Sequence, residues 1–273
     1  MPKTSILYWI ICMLIFGSFA QAAEDFPGRV HKKYKMVPYI ELDDLYAKRK
    51  DMVVVDARTP FEYDTLQIKD ALNIPLSSKS FEDEVLALRK QTDKPIAFYC
   101  NGHTCMKSYQ AVKKAMAVGV KDVYAYDAGI FDWAKAHPDE AVLLGKSPVD
   151  PKDIIPKKAF HAHLLNADKF SDLATNGDAN KIILDIRDAY QRAGVGFFPG
   201  LERWTSLSKM DKVTAYMKKA KEQNKTLFIY DNVGKQVRWL QYALERHGVK
   251  KYYFMEKGAH GYYEMLGDAS ALQ

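Results

Sequence analysis

The sequence predicts an α/β protein made of two tandem copies of one domain, each with a mostly parallel central sheet covered by helices on both faces. Three observations carry this. Short apolar runs rich in strand formers alternate with segments of helical spacing, the signature of right-handed crossovers between parallel strands. One set of landmarks occurs twice, in the same order. The 273 residues, 48% of them hydrophobic, suffice for two ordinary cores.

Taken in order, the first residues form a leader. Lys3 precedes an apolar stretch over 6–16, and Ala20-Gln21-Ala22 places small residues where a signal peptidase reads. The expectation is a secretory signal peptide over 1–22, leaving an exported mature chain, periplasmic or secreted. The apolar run is shorter than the roughly 20 residues of a spanning helix, so no membrane association is expected after cleavage. The formal net charge of +6 is spread along the chain and argues against a nucleic-acid arm.

Residues 23–38 form a polar, irregular lead-in. A short strand and a helix start are expected over 39–45, and a buried strand over 52–56 ends in Asp56-Ala57-Arg58. A helical turn at 60–63, an extended stretch at 71–75 and a helix over 81–90 (Phe81, Val85 and Leu88 on one face) lead to a strand at 96–99. After a loop, Ser108 opens a helix with Tyr109, Val112, Ala115 and Met116 in register. A strand at 123–126 and a helix from Gly129 through Trp133 close the half. Ser147-Pro148-Val149-Asp150-Pro151 then interrupts regular structure.

The order repeats. Residues 182–187 repeat the apolar run followed by Asp-x-Arg, 227–232 repeat the strand that ends at Cys100, with Asp231 in the cysteine's place, and 252–258 repeat the strand before Gly129. Asp56 to Cys100 spans 44 positions and Asp185 to Asp231 spans 46; Cys100 to Gly129 spans 29 and Asp231 to Gly258 spans 27. Such agreement indicates a tandem duplication.

The chemistry is expected at Cys100. It ends a strand and precedes a helix, so loop N–H groups and the positive end of the helix dipole converge near its sulfur. A cysteine in that position is expected to have a lowered pKa, and the thiolate is the nucleophile. His103 and Lys107 are suited to hold an anion beside it, and Asn101, Gly102 and Thr104 complete the candidate donor site. Leader cleavage removes Cys12 and leaves Cys100 and Cys105. Cys105 reads either as a resolving thiol or as a small packed hydrophobe. Cys100, His103 and Cys105 lack a fourth ligand and match no usual zinc spacing, so neither metal nor cofactor is expected. Asp56 and Arg58, like Asp185 and Arg187, are read as internal charge networks.

The first half resembles the rhodanese family of sulfurtransferases through Val-Val-Asp56-Ala-Arg58, Phe61-Glu62-Tyr63, Ala71-Leu72-Asn73-Ile74-Pro75, Tyr99-Cys100 and Gly129-Ile130-Phe131-Asp132-Trp133. The second half matches more loosely, through Leu184-Asp185-Ile186-Arg187, Phe198-Pro199-Gly200 and Gly258. The resemblance implies a five-stranded sheet in each half, a catalytic domain over 36–145, a linker over 146–156 and a second domain over 157–273. It implies that Cys100 takes a sulfane sulfur from a small anion such as thiosulfate, holds it as a persulfide and passes it to a thiol or cyanide. Two features depart from the common pattern. Ser108 lies eight positions after Cys100, a longer loop that is similar to exported relatives with a Cys-Asn-Gly-x-x-Cys core. Asp231 cannot form a persulfide, so the second half is expected to be non-catalytic. Two other functions fit the residues: a Cys100/Cys105 thiol–disulfide redox protein, and a non-catalytic sulfur-binding sensor or scaffold.

Overall fold

The computed structural model describes residues 26–176 and 180–270, so the expected leader lies outside the described residues. The chain divides into two compact units, the first ending at Asp153 and the second beginning at Ile154.

In the first unit, α1 (Pro27–Val30) and α2 (Leu42–Lys48) precede β1 (Val53–Asp56), α3 (Pro60–Thr65), β2 (Leu66–Ile68) and β3 (Leu72–Asn73). There follow α4 (Phe81–Gln91), β4 (Ile96–Tyr99), α5 (Lys107–Ala117), β5 (Val123–Tyr126), α6 (Gly129–Ala136) and β6 (Ala141–Leu143). Strands β3, β1, β4 and β5 form a parallel sheet in that order, while β2 and β6 pair antiparallel apart from it. Every residue of β4 is buried, which is why its sequence is a continuous apolar run rather than an alternation. Phe81 and Val85 of α4 and Tyr109, Val112 and Ala115 of α5 pack with Val55 and Phe98 in one core.

The sheet has four strands, not the five expected. The segment at Tyr39 forms only an isolated parallel bridge to Ala125. Pro38 has no N–H to extend the ladder, and α2 begins three residues after Tyr39, so two hydrogen bonds, Ala125 N–H to Pro38 O and Ile40 N–H to Ala125 O, are all that forms there. The lead-in is also more ordered than its composition implies. Arg29 donates two hydrogen bonds to the buried Asp127 carboxylate (2.8 and 2.9 Å), and Tyr34 enters the core.

The second unit runs α7 (Lys157–His161), β7 (Leu164–Leu165), α8 (Ala167–Thr175), β8 (Lys181–Asp185), α9 (Ala189–Arg192) and β9 (Glu202–Trp204). It continues with α10 (Met210–Glu222), β10 (Thr226–Tyr230), α11 (Gln236–Arg246), β11 (Tyr252–Met255) and α12 (Gly258–Ser270). Its parallel sheet has five strands in the order β7-β11-β10-β8-β9. That is the first sheet's order, with β7 where the Tyr39 bridge stands.

The likeness between the two units extends to single hydrogen bonds. Ala57 donates to the Tyr99 carbonyl and Ile186 to that of Tyr230; Ile130 donates to the Cys100 carbonyl and Ala259 to that of Asp231. Both Asp-x-Arg pairs are fully buried salt bridges at the carboxyl ends of their strands, 2.5 Å for Arg58–Asp56 and 2.8 Å for Arg187–Asp185. Each guanidinium also reaches a carbonyl eight residues on, Leu66 or Val195. These added hydrogen bonds help make ion pairs tolerable at such depth.

Candidate active site

Strand β4 delivers Cys100 to the carboxyl edge of the first sheet, and residues 101–106 lead into α5. Two glycines hold this loop against the start of α6. Gly102 has φ +120° and Gly129 has φ +72°; a Cβ on Gly102 would overlap the Ala128 carbonyl, and one on Gly129 would overlap the Gly102 backbone. Such close backbone approach at positive φ requires glycine. The Cys105 N–H donates to the Gly102 carbonyl at 2.8 Å, a turn that brings Cys105 back onto Cys100.

The Cys100 side chain is wholly buried, and Cys105 is partly exposed. The Cys100 thiol lies 3.2 Å from the Cys105 carbonyl and 3.8 Å from Ser108 Oγ. The N–H groups of Gly102 and Ser108 work to lower the Cys100 pKa, and those of Lys107 and Asn101 to lower that of Cys105.

The lowered pKa expected at Cys100 falls instead on its neighbour. Burial pushes the Cys100 thiol well up, and the adjoining Cys105 adds to this against the two N–H groups. Cys105 drops to about 6, chiefly because the Cys100 thiol donates to it; against burial, the Lys107 and Asn101 N–H groups and the Lys107 charge also help. The two thiols titrate as a pair, with burial opposing charge most at the deeper Cys100. The strand–loop–helix pattern located the cysteine correctly but carried no information on its depth.

Lys107 and His103 each face a carboxylate. Lys107 Nζ lies 3.6 Å from Glu62 Oε2, and His103 Nε2 lies 2.6 Å from Asp132 Oδ2. The His103 ring also stacks on Phe26, with centroids 4.4 Å apart. Asn101 donates to Glu62 Oε1 at 3.3 Å and accepts from Arg58 at 3.4 Å, so it ties the loop to the buried Asp56–Arg58 pair. Thr104 is exposed at the tip. Glu62 is the residue that sequence reasoning missed as part of the site. Its signal was there: Thr59-Pro60-Phe61-Glu62 is a capping box at the start of α3, which turns the carboxylate back toward the end of β1. Burial works to raise the Glu62 pKa, but Lys107, Arg58 and the Thr59 donors outweigh it and hold the pKa below the ordinary value. Among the described residues no three His, Cys, Asp or Glu side chains converge to hold a metal ion.

The second unit has the same loop with an anion built in. Asp231 Oδ1 accepts from the Val233 N–H (3.1 Å) and the Gly234 N–H, while Oδ2 accepts from the Gln236 (2.5 Å) and Val237 (3.2 Å) N–H groups at the start of α11.

Residues 40–136, which span β1 to α6, match the rhodanese-like domain family. This segment is similar to rhodanese-like domains. It is 26% identical over 105 residues to thiosulfate sulfurtransferase GlpE of Coxiella burnetii, a match covering 38% of this chain and 92% of that protein. It is 33% identical over 97 residues to tRNA uridine(34) hydroxylase of Onion yellows phytoplasma, covering 34% of this chain but only 30% of that protein. A solved structure of a rhodanese-related protein from Thermoplasma volcanium is 27% identical, with a TM-score of 0.30, over 37% of this chain and 93% of that one. The family match ends within α6, before the second unit begins.

Proposed function

We propose that the chain is an exported sulfurtransferase of two rhodanese-like halves, in which Cys100 accepts a sulfane sulfur as a persulfide and yields it to a thiol or cyanide. The observation that carries this reading is the cradle present in both units. In the second, backbone N–H groups at a strand–helix junction hold the Asp231 carboxylate. In the first, Cys100 ends the equivalent strand before α5, its sulfur 3.8 Å from Ser108 Oγ, and the Gly102 and Ser108 N–H groups favour its thiolate. A cradle of this construction stabilises negative charge one side chain beyond the strand end, where a thiolate and then a persulfide would sit. The family match and the Coxiella burnetii relative supply the reaction class.

The thiosulfate step balances as follows. Cys100 reacts as its thiolate, its proton passing to solvent, and the Cys100 sulfur attacks the outer sulfur of thiosulfate. Its S–S bond breaks and sulfite departs, leaving a Cys100 persulfide beside a Cys105 thiol. Cyanide or a thiol then attacks the outer sulfur, and Cys100 leaves as thiolate. His103 and Lys107 stand at the loop as partners for the anionic donor, each with a carboxylate neighbour that tempers its charge. Export rests on the leader pattern over 1–22, and the second unit, with Asp231 in its cradle, is assigned no transfer of its own.

Intact-mass spectrometry of the reduced protein before and after thiosulfate, beside Cys100→Ser, tests the reading. A gain of one sulfur atom that cyanide removes, absent from the variant, is the expected result. An equal gain in Cys100→Ser would overturn it.

A further inference from the structure

Transfer to an outside acceptor leaves one group of the site without a task once the persulfide has formed. Cys105 is then a thiol on the residue whose carbonyl lies 3.2 Å from the sulfur that carries the sulfane atom. The contact is built into the loop: the Cys105 N–H bond to the Gly102 carbonyl folds residues 102–105 back, and the Cys100 thiol lies against the Cys105 carbonyl at 3.2 Å. The loop is held in this form by the Gly102–Gly129 approach, which leaves no room for a side chain at either position. Cys100 is wholly buried and Cys105 partly exposed, so Cys105 is also the sulfur that a reductant meets first.

We infer that Cys105 is a resolving thiol that attacks the loaded Cys100, expels the sulfane atom as hydrosulfide and closes a Cys100–Cys105 disulfide. This rests on the persulfide reading above and adds a second fate for its intermediate. The Cys105 sulfur bonds to Cys100 Sγ, and the bond from Cys100 Sγ to the outer sulfur breaks. The outer sulfur leaves as hydrosulfide, carrying the Cys105 proton. It is reduced by two electrons, and the two cysteines are oxidised to the disulfide, so this step consumes no outside oxidant. Resetting the site takes a dithiol reductant, which opens the disulfide by exchange at its more exposed sulfur. Outside acceptors compete with Cys105 for the loaded state. When they are scarce, the protein is a reductant-dependent sulfide-releasing enzyme, and without a dithiol it turns over once and stops.

The test follows reduced protein, freed of reductant and given one equivalent of thiosulfate, by intact mass and by a sulfide assay. Cys105→Ser and Cys105→Ala are run alongside. The wild type is expected to pass from one sulfur atom heavier to two hydrogens lighter, releasing one hydrosulfide per chain, and added dithiothreitol restores the starting mass. Both variants are expected to stop at the sulfur-loaded mass and keep it about tenfold longer or more. A wild type that stays loaded as long as the variants, with no lighter species and no sulfide, overturns the inference and leaves the persulfide reading standing. If neither wild type nor variants gain sulfur, the persulfide reading falls, and this inference with it.

Discussion

Replacing Asp231 by alanine empties the second unit's cradle and measures how strongly such a loop holds an anion. Four N–H groups lose a charged acceptor. Hydrogen bonds to charged groups contribute about 1.5–3 kcal/mol each, which would suggest roughly 6–12 kcal/mol if they simply added. Two effects reduce this. The carboxylate is buried, which pushes its pKa up, and several kcal/mol of desolvation are recovered when it is removed. Val233 is exposed and Gly234 and Gln236 are partly so, which lets water take the acceptor's place at three of the four donors; only Val237 is buried. The net destabilisation of the second unit is then about 3–4 kcal/mol. Asp231→Asn keeps one oxygen for two donors but turns its amide on the other two, and should lose about 2 kcal/mol. Hydrogen exchange over residues 231–246, with denaturant unfolding of the whole chain, reads both. Sulfate or thiosulfate should restore protection to Asp231→Ala by filling the cradle. A loss below about 1 kcal/mol, within the range of an ordinary surface change, together with no response to either anion, would refute the cradle argument and remove the main support for an anionic sulfur at Cys100.

Four further outcomes are expected. Gly102→Ala combines a strained φ with overlap of the Ala128 carbonyl and should destabilise the first unit by about 3 kcal/mol in urea unfolding. Gly119→Ala, at φ +85° with nothing around the new methyl, should lose only about 1 kcal/mol. Because the Glu62 pKa is depressed in the folded state, its stabilising contribution is full above the ordinary glutamate value of about 4.3 and is lost as pH falls through the lower folded value. Glu62→Gln should flatten that acid limb in unfolding midpoints measured against pH. Alkylation of Cys105 by iodoacetamide should be half-maximal near pH 6, and Cys100→Ala, which removes the donated hydrogen bond, should move it toward the ordinary thiol value of about 8.5. An identical midpoint in both proteins would contradict the paired titration of the two thiols.

Much of this protein is legible in one dimension because its sheets are parallel and covered. Strands buried on both faces must be continuous apolar runs, so β1, β4, β5, β8, β10 and β11 stand out, and the residues just after them are known to lie at the sheet's functional edge. The likeness of the two halves is equally visible, since both keep nearly the same spacing between Asp-x-Arg, the residue at 100 or 231 and the glycine that follows. The expected strand at Tyr39 reduced to a single bridge because local periodicity says nothing about the Pro38 nitrogen or the nearness of α2. What only the tertiary structure decided is the electrostatics of the site. Glu62 meets Lys107, Asp132 meets His103 and Arg58 meets Asn101 across 29 to 45 positions of sequence, and those meetings depend on strand order and on how each loop closes. The same holds within the loop. Five residues separate Cys100 from Cys105, but which sulfur holds the proton depends on burial and on where the backbone N–H groups point, and both are properties of the folded loop rather than of its letters.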